Sequence, residues 1–116
     1  MSTALLSPTV ITMNIAGGLA TTSIVTMRAP FAGYITGATV AVTTAPVGSA
    51  LTASLLVGSD TAAGFSIAAA GTSAAGTLTA ANCDFAAGDL IHLDVLTVGS
   101  STAGSNITVA FTIYEA

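Results

Sequence analysis

Apolar side chains at every second position constrain this 116-residue chain more than any other feature of its sequence. The pattern is clearest in two stretches near the C-terminal end, residues 90–98 and 106–115. The apolar series are Ile91, Leu93 and Val95 in the first stretch, and Ile107, Val109, Phe111 and Ile113 in the second. A period of two is that of a β-strand with one buried face. We therefore predict a half-buried strand in each stretch.

The same alternation recurs upstream at intervals of about ten residues. It predicts further strands at 9–15, 21–28, 34–44, 51–57, 65–69 and 77–81, with turn-forming residues between them. Gly37 interrupts the strand at 34–44 and predicts a bulge or a close backbone approach at that point. About eight short strands separated by turns are typical of an all-β sandwich or barrel, and the chain length fits a single domain.

The chain carries very little charge. Only 5% of its residues are charged, against about 25% in an average soluble domain, and Arg28 is the one Lys or Arg in a chain of net charge −4. This composition excludes nucleic acid as a partner, because phosphate binding needs several cationic side chains, and it disfavours a membrane surface for the same reason. The sequence shows no apolar run of the ~20 residues that span a membrane and no signal peptide, so we predict synthesis in a cytoplasm.

Uncharged hydroxyl groups replace charge as the source of solubility. The sequence contains 19 Thr and 11 Ser residues. Thr packs well on pleated strands, while its hydroxyl remains available to water. A surface of this kind has little electrostatic repulsion. It indicates a protein that packs against copies of itself or against a larger assembly, so we expect a homo-oligomer.

His92 and Asp94 lie two positions apart on the predicted strand 90–98 and therefore share a face. Such a pair could orient a general base or supply two metal ligands. A metal site needs three or four ligands, however, and the sequence offers no second His and no Cys pair. No serine lies in a nucleophile-elbow motif. We predict a polar pair on an outer or interface face, no catalytic, cofactor-binding or metal-binding residues, and no enzymatic activity.

Three other polar residues have structural interpretations. Asp89 follows Gly88 and is predicted to close a turn through its own side chain. Cys83 is predicted to be a small buried residue, with an intersubunit disulfide as the alternative. Arg28 leaves two alternatives open: a bidentate pair with a carboxylate, either Glu115 or an Asp of another copy, or a solvated charge at a strand end.

The aromatic residues are spread along the sequence and include no Trp. A platform that stacks on sugar rings needs clustered, exposed aromatic rings. We therefore assign five of the aromatic residues to the core: Phe31, Tyr34, Phe65, Phe85 and Phe111.

Turn and strand signatures carry a resemblance to a known group of proteins. They are Pro-Phe-Ala-Gly-Tyr-Ile-Thr-Gly at 30–37, Thr-Ala-Pro-Val-Gly-Ser at 44–49, Ala-Gly-Asp-Leu-Ile-His-Leu-Asp-Val at 87–95, Val-Gly-Ser at 98–100, and Ala-Gly-Ser-Asn-Ile-Thr-Val at 103–109. In this order they resemble the small, jelly-roll-like β-sandwich modules of tailed-bacteriophage virion proteins, over about residues 29–113. The resemblance implies an all-β, antiparallel, jelly-roll-like sandwich and brings no catalytic residues with it.

Modules of this group occur as head decoration (cement) proteins and as terminal domains of tail-fibre or baseplate proteins. The resemblance therefore implies a structural virion protein on the capsid surface, made in the host cytoplasm, that stabilises the phage head by bridging subunits of the major capsid protein. A trimer is the first expectation and a dimer the next. The alternative is a tail-fibre or baseplate module that recognises a host surface glycan or protein. A glycan hydrolase would need two carboxylates in one cleft, whereas Asp89 and Asp94 point to opposite faces of the predicted strand.

We divide the chain into two segments. Residues 1–20 form an N-terminal arm or first strand that could contact a neighbouring subunit, and residues 21–116 form the sandwich. Because the outward face of 90–98 is unusually apolar, we expect it to be covered by a neighbour. The candidate interface residues are Leu5, Leu6, Val10, Arg28, His92 and Leu96.

Overall fold

A computed structural model describes residues 8–21 and 23–115 of the chain. These residues form two antiparallel β-sheets that enclose an apolar core. The strands are β1 (Thr9–Gly18), β2 (Ile24–Arg28), β3 (Gly33–Thr44), β4 (Leu51–Val57), β5 (Asp60–Ile67), β6 (Ser73–Ala75), β7 (Thr77–Leu78), β8 (Asp84–Phe85), β9 (Leu90–Thr97) and β10 (Ser105–Glu115). A 3-10 turn at Ala80–Asn82 precedes β8. In these ranges no helix has the length and apolar character needed to cross a membrane.

The strand order is that of a jelly roll. Sheet I has the order β1-β10-β3-β6, with β8 also paired to β3, and sheet II has the order β2-β9-β4-β5-β7. The chain therefore wraps as nested antiparallel pairs: β1 with β10, β2 with β9, β3 with β6 and β8, and β4 with β5. This confirms the predicted all-β sandwich. Ten strands are present in the described residues instead of about eight, because three very short strands lie between Ser73 and Phe85.

The core consists of the alternating apolar residues that the sequence pattern singled out. Ile91 and Leu93 of β9 and Ile107 and Val109 of β10 are fully buried, and Phe111 is 1% exposed. Among the described residues, no polar or charged residue is classed as buried. Burial of each large aliphatic side chain contributes about 1.5–3 kcal/mol, so the alternation itself determines which side of each strand faces inward.

The bulge predicted at Gly37 is present. Thr112 of β10 pairs with Gly37, but the next residue, Ile113, pairs with Ile35. Thr36 is therefore the extra residue on β3, and it has no partner directly opposite. The shift keeps Ile35 and Ile113 on the inner side of sheet I.

The strand predicted at 65–69 is β5 in the structure, which begins before residue 65 and ends before residue 69. It begins at Asp60, because Gly58 adopts a φ of +63° and lets β4 turn tightly into β5. It ends at Ile67, since Ala70 adopts a φ of +68° in a turn. The alanines at 68–70 therefore form a turn and extend neither a strand nor a helix.

The segment 1–20 contributes a strand to the sandwich. Its described part contains β1, which lies at the edge of sheet I and pairs with β10 from Thr9 to Ile15 in unbroken register. A register shift follows between Ile15 and Gly18. There the Gly17 amide donates to Asn106 Oδ1 at 2.6 Å, and Asn106 has a φ of +54°.

Loops at one end of the sandwich hold each other in place. The Val47 amide donates to the Thr102 carbonyl at 2.9 Å, and the Ser101 amide donates to the Val47 carbonyl at the same distance. A Cβ atom added to Gly99 would lie 2.5 Å from the Val47 nitrogen and against the Thr102 carbonyl oxygen. Only glycine fits at this contact, so the two loops pack as one unit.

We expect Gly99→Ala to lower the free energy of unfolding by roughly 2 kcal/mol, because the added methyl group must separate the two loops. Urea denaturation of the purified chain measures this change. The matched control is Gly37→Ala, where nothing lies within 4 Å of the added Cβ atom. Equal stability of the two variants would show that the loops are not tightly packed.

Candidate interaction surfaces

The four predicted interface residues that lie in the described part of the chain do not form one surface. Leu5 and Leu6 lie outside the described residues. Val10 is 63% exposed and lies on the outer side of sheet I, opposite Thr112 of β10. The other three belong to β2 and β9 of sheet II: Arg28, His92 and Leu96. The core separates the two outer sides, so a single flat partner cannot contact both.

The outer side of β2 and β9 exposes three large apolar residues, and we name it the sheet II face. They are Ile24, Leu90 and Leu96, which are 55%, 40% and 52% exposed. Ile24 lies opposite Asp94 in the strand register, and both line a depression of about 170 Å³ together with Leu96. The outward position predicted for Leu96 is confirmed, and Leu90 lies on the same side. Their exposure leaves an apolar surface without a cover in the described chain.

A bulge on β9 affects how Leu96 is placed. Val95 pairs with Ala53 of β4, whereas Thr97 pairs with Thr52, so Leu96 has no residue directly opposite. The side chain of Leu96 forms one wall of a shallow groove of about 530 Å³ across β4 and β5. Small and hydroxyl-bearing residues form much of its lining: Thr52, Ser54, Gly64, Ser66 and Thr77.

His92 occupies the middle of the sheet II face, and both of its ring nitrogens have partners. Nδ1 lies 2.6 Å from Asp94 Oδ1, and Nε2 lies 2.7 Å from the Gly58 carbonyl oxygen. A carbonyl oxygen only accepts hydrogen bonds, so Nε2 donates to Gly58. An ionised carboxylate also only accepts, so Nδ1 donates to Asp94. Both hydrogen bonds form together when the ring is protonated on both nitrogens, and the ring then ties the β4–β5 turn to β9.

The pKa of His92 is raised above its ordinary value. Partial burial of the ring is the largest single effect, and it lowers the pKa because it disfavours the charged form. The hydrogen bonds with Asp94 and with the Gly58 carbonyl, together with the negative charge of Asp94, favour the charged form and outweigh burial. His92 and Asp94 therefore form an ion pair that leaves no ring nitrogen free for a substrate or metal.

Arg28 binds the backbone, and its pairing with Glu115 does not occur in the structure. Its Nη1 donates to the Gly88 carbonyl at 3.0 Å. Among the described residues, no carboxylate lies within 4 Å of the guanidinium. Asp89 closes the adjacent turn as predicted, since its Oδ2 accepts from the Ala86 amide at 2.9 Å. Arg28 therefore braces this turn against the end of β2.

Cys83 is buried, as predicted. Its exposure is 4%, and its Sγ donates to the Thr79 carbonyl at 3.3 Å. Burial raises the pKa of the thiol, and the charge of Asp84 raises it further. The thiol is therefore protonated and shielded from solvent, which disfavours the intersubunit disulfide.

The assignment of Tyr34 to the core is wrong. Tyr34 is 38% exposed on the outer side of sheet I, where it stacks on Tyr114 with ring centroids 5.6 Å apart and planes at 12°. The two residues lie directly opposite each other on β3 and β10. Neighbouring residues of a strand point to opposite sides, and Ile35 is buried, so the alternating pattern of the sequence already indicated that Tyr34 faces outward. Its partner could not be found without the strand register.

The described residues contain no group of three or more His, Cys, Asp or Glu side chains that could hold a metal ion. Four of their titratable or charged side chains form local contacts: His92 with Asp94, Arg28 with Gly88, and Asp89 with Ala86. The chemistry that this arrangement supports is binding by apolar contact and by hydroxyl groups. The sheet II face and its groove are the surfaces best suited to it.

We expect the free energy of unfolding to fall as the pH rises above about 6.5, the ordinary pKa of an unfolded histidine. The raised pKa of His92 contributes stability that is fully present below that pH, and this stability is lost as the pH passes through the raised value. Urea denaturation from about pH 5 to about pH 9 measures the dependence. His92→Gln should flatten it, whereas Asp60→Asn should leave it unchanged. A wild-type stability without this fall would contradict the ion pair.

Comparisons with known proteins add information on the fold. No protein-family model and no curated protein matches the chain. Among solved structures, a chain of the cyanophage Pam1 capsid asymmetric unit is similar at 18% identity, with a TM-score of 0.55 over 95% of this chain and 84% of that one. CsCBM6-3 from Clostridium stercorarium, solved in complex with cellobiose, is similar at 12% identity, with a TM-score of 0.46 over 96% and 94% of the two chains. The similarity to the capsid chain, at a TM-score of 0.55, shows a shared fold alone. The similarity to CsCBM6-3, at a TM-score of 0.46, is too low to establish a shared fold.

Proposed function

We propose that this chain is a structural virion protein of the decoration, or cement, type, which binds the outer surface of a phage head and bridges subunits of the major capsid protein. The observation that carries the proposal is the jelly-roll likeness, over 95% of the chain, to a chain of a cyanophage capsid asymmetric unit. The turn and strand signatures of the sequence point to the same group of proteins.

The sheet II face is the surface that this proposal assigns to the capsid. It exposes Ile24, Leu90 and Leu96, and burial of apolar surface drives most protein association. Its central charges, His92 and Asp94, already neutralise each other at 2.6 Å. Covering the centre of the face therefore does not require removing an unpaired charge from water, which is the costly step in burying charged groups, whereas Arg28 lies at the end of the face beside Leu90 and has no carboxylate partner among the described residues.

The proposed action is mechanical and needs no catalytic residue. His92 and Arg28 each join a strand to a turn, and Asp89 closes its own turn, so these turns lose less conformational freedom on binding than unbonded turns would. A protein that binds the assembled lattice, and not the separate subunits, stabilises the lattice by mass action. Many copies add many contacts, each of which must break before the shell opens.

Capsid binding tests the proposal directly. Leu96→Asp, at a side chain that is 52% exposed, should weaken binding to purified heads of the encoding virus at least about tenfold, because it places an unpaired charge in the interface. Co-sedimentation of labelled protein with heads measures the affinity. The control is Thr39→Asp, at an exposed position on the outer side of sheet I. Wild-type protein that does not bind heads would overturn the proposal.

The groove across β4 and β5 favours a second candidate function, a tail-fibre or baseplate module that binds a host surface glycan or protein. Hydroxyl groups of Ser54, Ser66 and Thr77 lie along its walls and could hydrogen-bond to sugar hydroxyls. Such a module would be present in a few copies for each virion, whereas a decoration protein would approach the number of capsid subunits.

Quantitative mass spectrometry of purified particles separates the two candidates by copy number. For the second candidate, Ser66→Arg should fill the groove and abolish binding to host cells, measured by flow cytometry with labelled protein. Thr39→Arg on the outer side of sheet I is the matched control. Cell binding that survives Ser66→Arg would exclude the groove as the receptor site.

A further inference from the structure

Among the described residues, no strand pairs with the outer edge of β1, and the part of this edge from Thr9 to Ile15 has no charge, no proline and no bulge. Residues Thr9–Gly18 contain no charged residue and no proline. Natural edge strands are kept from pairing by charge, proline, bulges or short length. The other edges in the described residues have such protection: β6, β7 and β8 have two or three residues each, and β2 has five and ends at Arg28.

The apolar core is also incompletely covered along this side of the sandwich. Ile11 and Ile15 of β1 point inward but are only half-buried, and so are Val25 and Met27 of β2. The corresponding residues of the central strands, such as Val109, are fully buried. Met13, which lies between Ile11 and Ile15, is 7% exposed, so another strand beside β1 would bury further apolar surface at the two isoleucines as well as form backbone hydrogen bonds.

We propose that a second copy of this chain supplies that strand, with β1 of each copy pairing antiparallel across a two-fold axis to make one continuous sheet. An interface of this symmetry must be self-complementary. The segment Ile11-Thr12-Met13-Asn14-Ile15 meets this condition, because its polarity pattern is symmetric about Met13. With Met13 on the axis, Ile11 lies opposite the partner's Ile15, and Thr12 lies opposite the partner's Asn14.

The absence of charge on β1 favours a second copy over a partner recognised by charge. Val10, Thr12 and Asn14 form the outward row of the strand, so two copies meet without electrostatic repulsion. The seven residues from Thr9 to Ile15 keep regular register with β10, which leaves a straight edge for pairing. The dimer is a property of the isolated chain, so its failure would leave the proposed capsid role standing.

Sedimentation equilibrium of the full chain tests the dimer. We expect a dimer at concentrations up to about 100 µM, and Thr12→Lys should raise its dissociation constant at least about a hundredfold, because the two lysines would lie close together across the axis. Thr39→Lys introduces the same charge on β3, away from the edge, and should leave the dimer intact. A monomeric wild-type chain, or an oligomer that survives Thr12→Lys, would overturn the proposal.

Cross-linking tests the register independently. The double variant T12C/N14C should form a covalent dimer on mild oxidation, because the thiol at position 12 of one copy lies opposite the thiol at position 14 of the other copy. The control T39C/A41C places the same spacing on β3 and should stay uncross-linked, while Cys83 is buried in both variants. A wild-type dimer whose T12C/N14C variant does not cross-link would show that another surface forms the dimer.

Discussion

The packing of alternating apolar side chains between two sheets is the interaction on which the rest of this structure depends. Four aliphatic side chains are fully buried: Ile91, Leu93, Ile107 and Val109. Among the described residues, no polar or charged side chain is buried with them. A core of this kind leaves hydroxyl, amide and charged groups to the surface. It also explains how a chain with only 5% charged residues reaches a defined fold: strand faces are assigned by apolar burial, and charge pairing contributes only locally.

Two side chains, His92 and Arg28, act as local braces. His92 reaches the Gly58 carbonyl, and Arg28 reaches the Gly88 carbonyl, so each ties a turn to a neighbouring strand. The charge of Asp94 is neutralised by His92. The surface between these contacts exposes Ile24, Leu90 and Leu96, and Arg28 at its end is a charge without a carboxylate partner in the described part of the chain. Those are properties of a surface that binds another protein, and they support the proposed role on a capsid.

The two proposed interfaces are geometrically compatible. A two-fold axis perpendicular to sheet I would join the two copies through β1 and leave both sheet II faces on the same side of the dimer. One dimer could then contact two places on a lattice at once, and linking two binding sites raises the overall affinity without any new contact. Val10, on the outer side of sheet I, would lie near the dimer axis instead of the capsid. The predicted interface residues would thus belong to two different interfaces.

The sequence by itself determined the features that depend on neighbouring residues: the inward series of Ile91 and Phe111, the bulge at Gly37 and the turn closed by Asp89. Strand period and turn chemistry are local properties, so they can be predicted from short segments. Only the tertiary structure decided that Tyr34 stacks on Tyr114, that His92 reaches Gly58, and that Val10 and Leu96 lie on opposite sides of the sandwich. Each of these depends on which strands pair and in which register, and that pairing joins residues far apart in the chain.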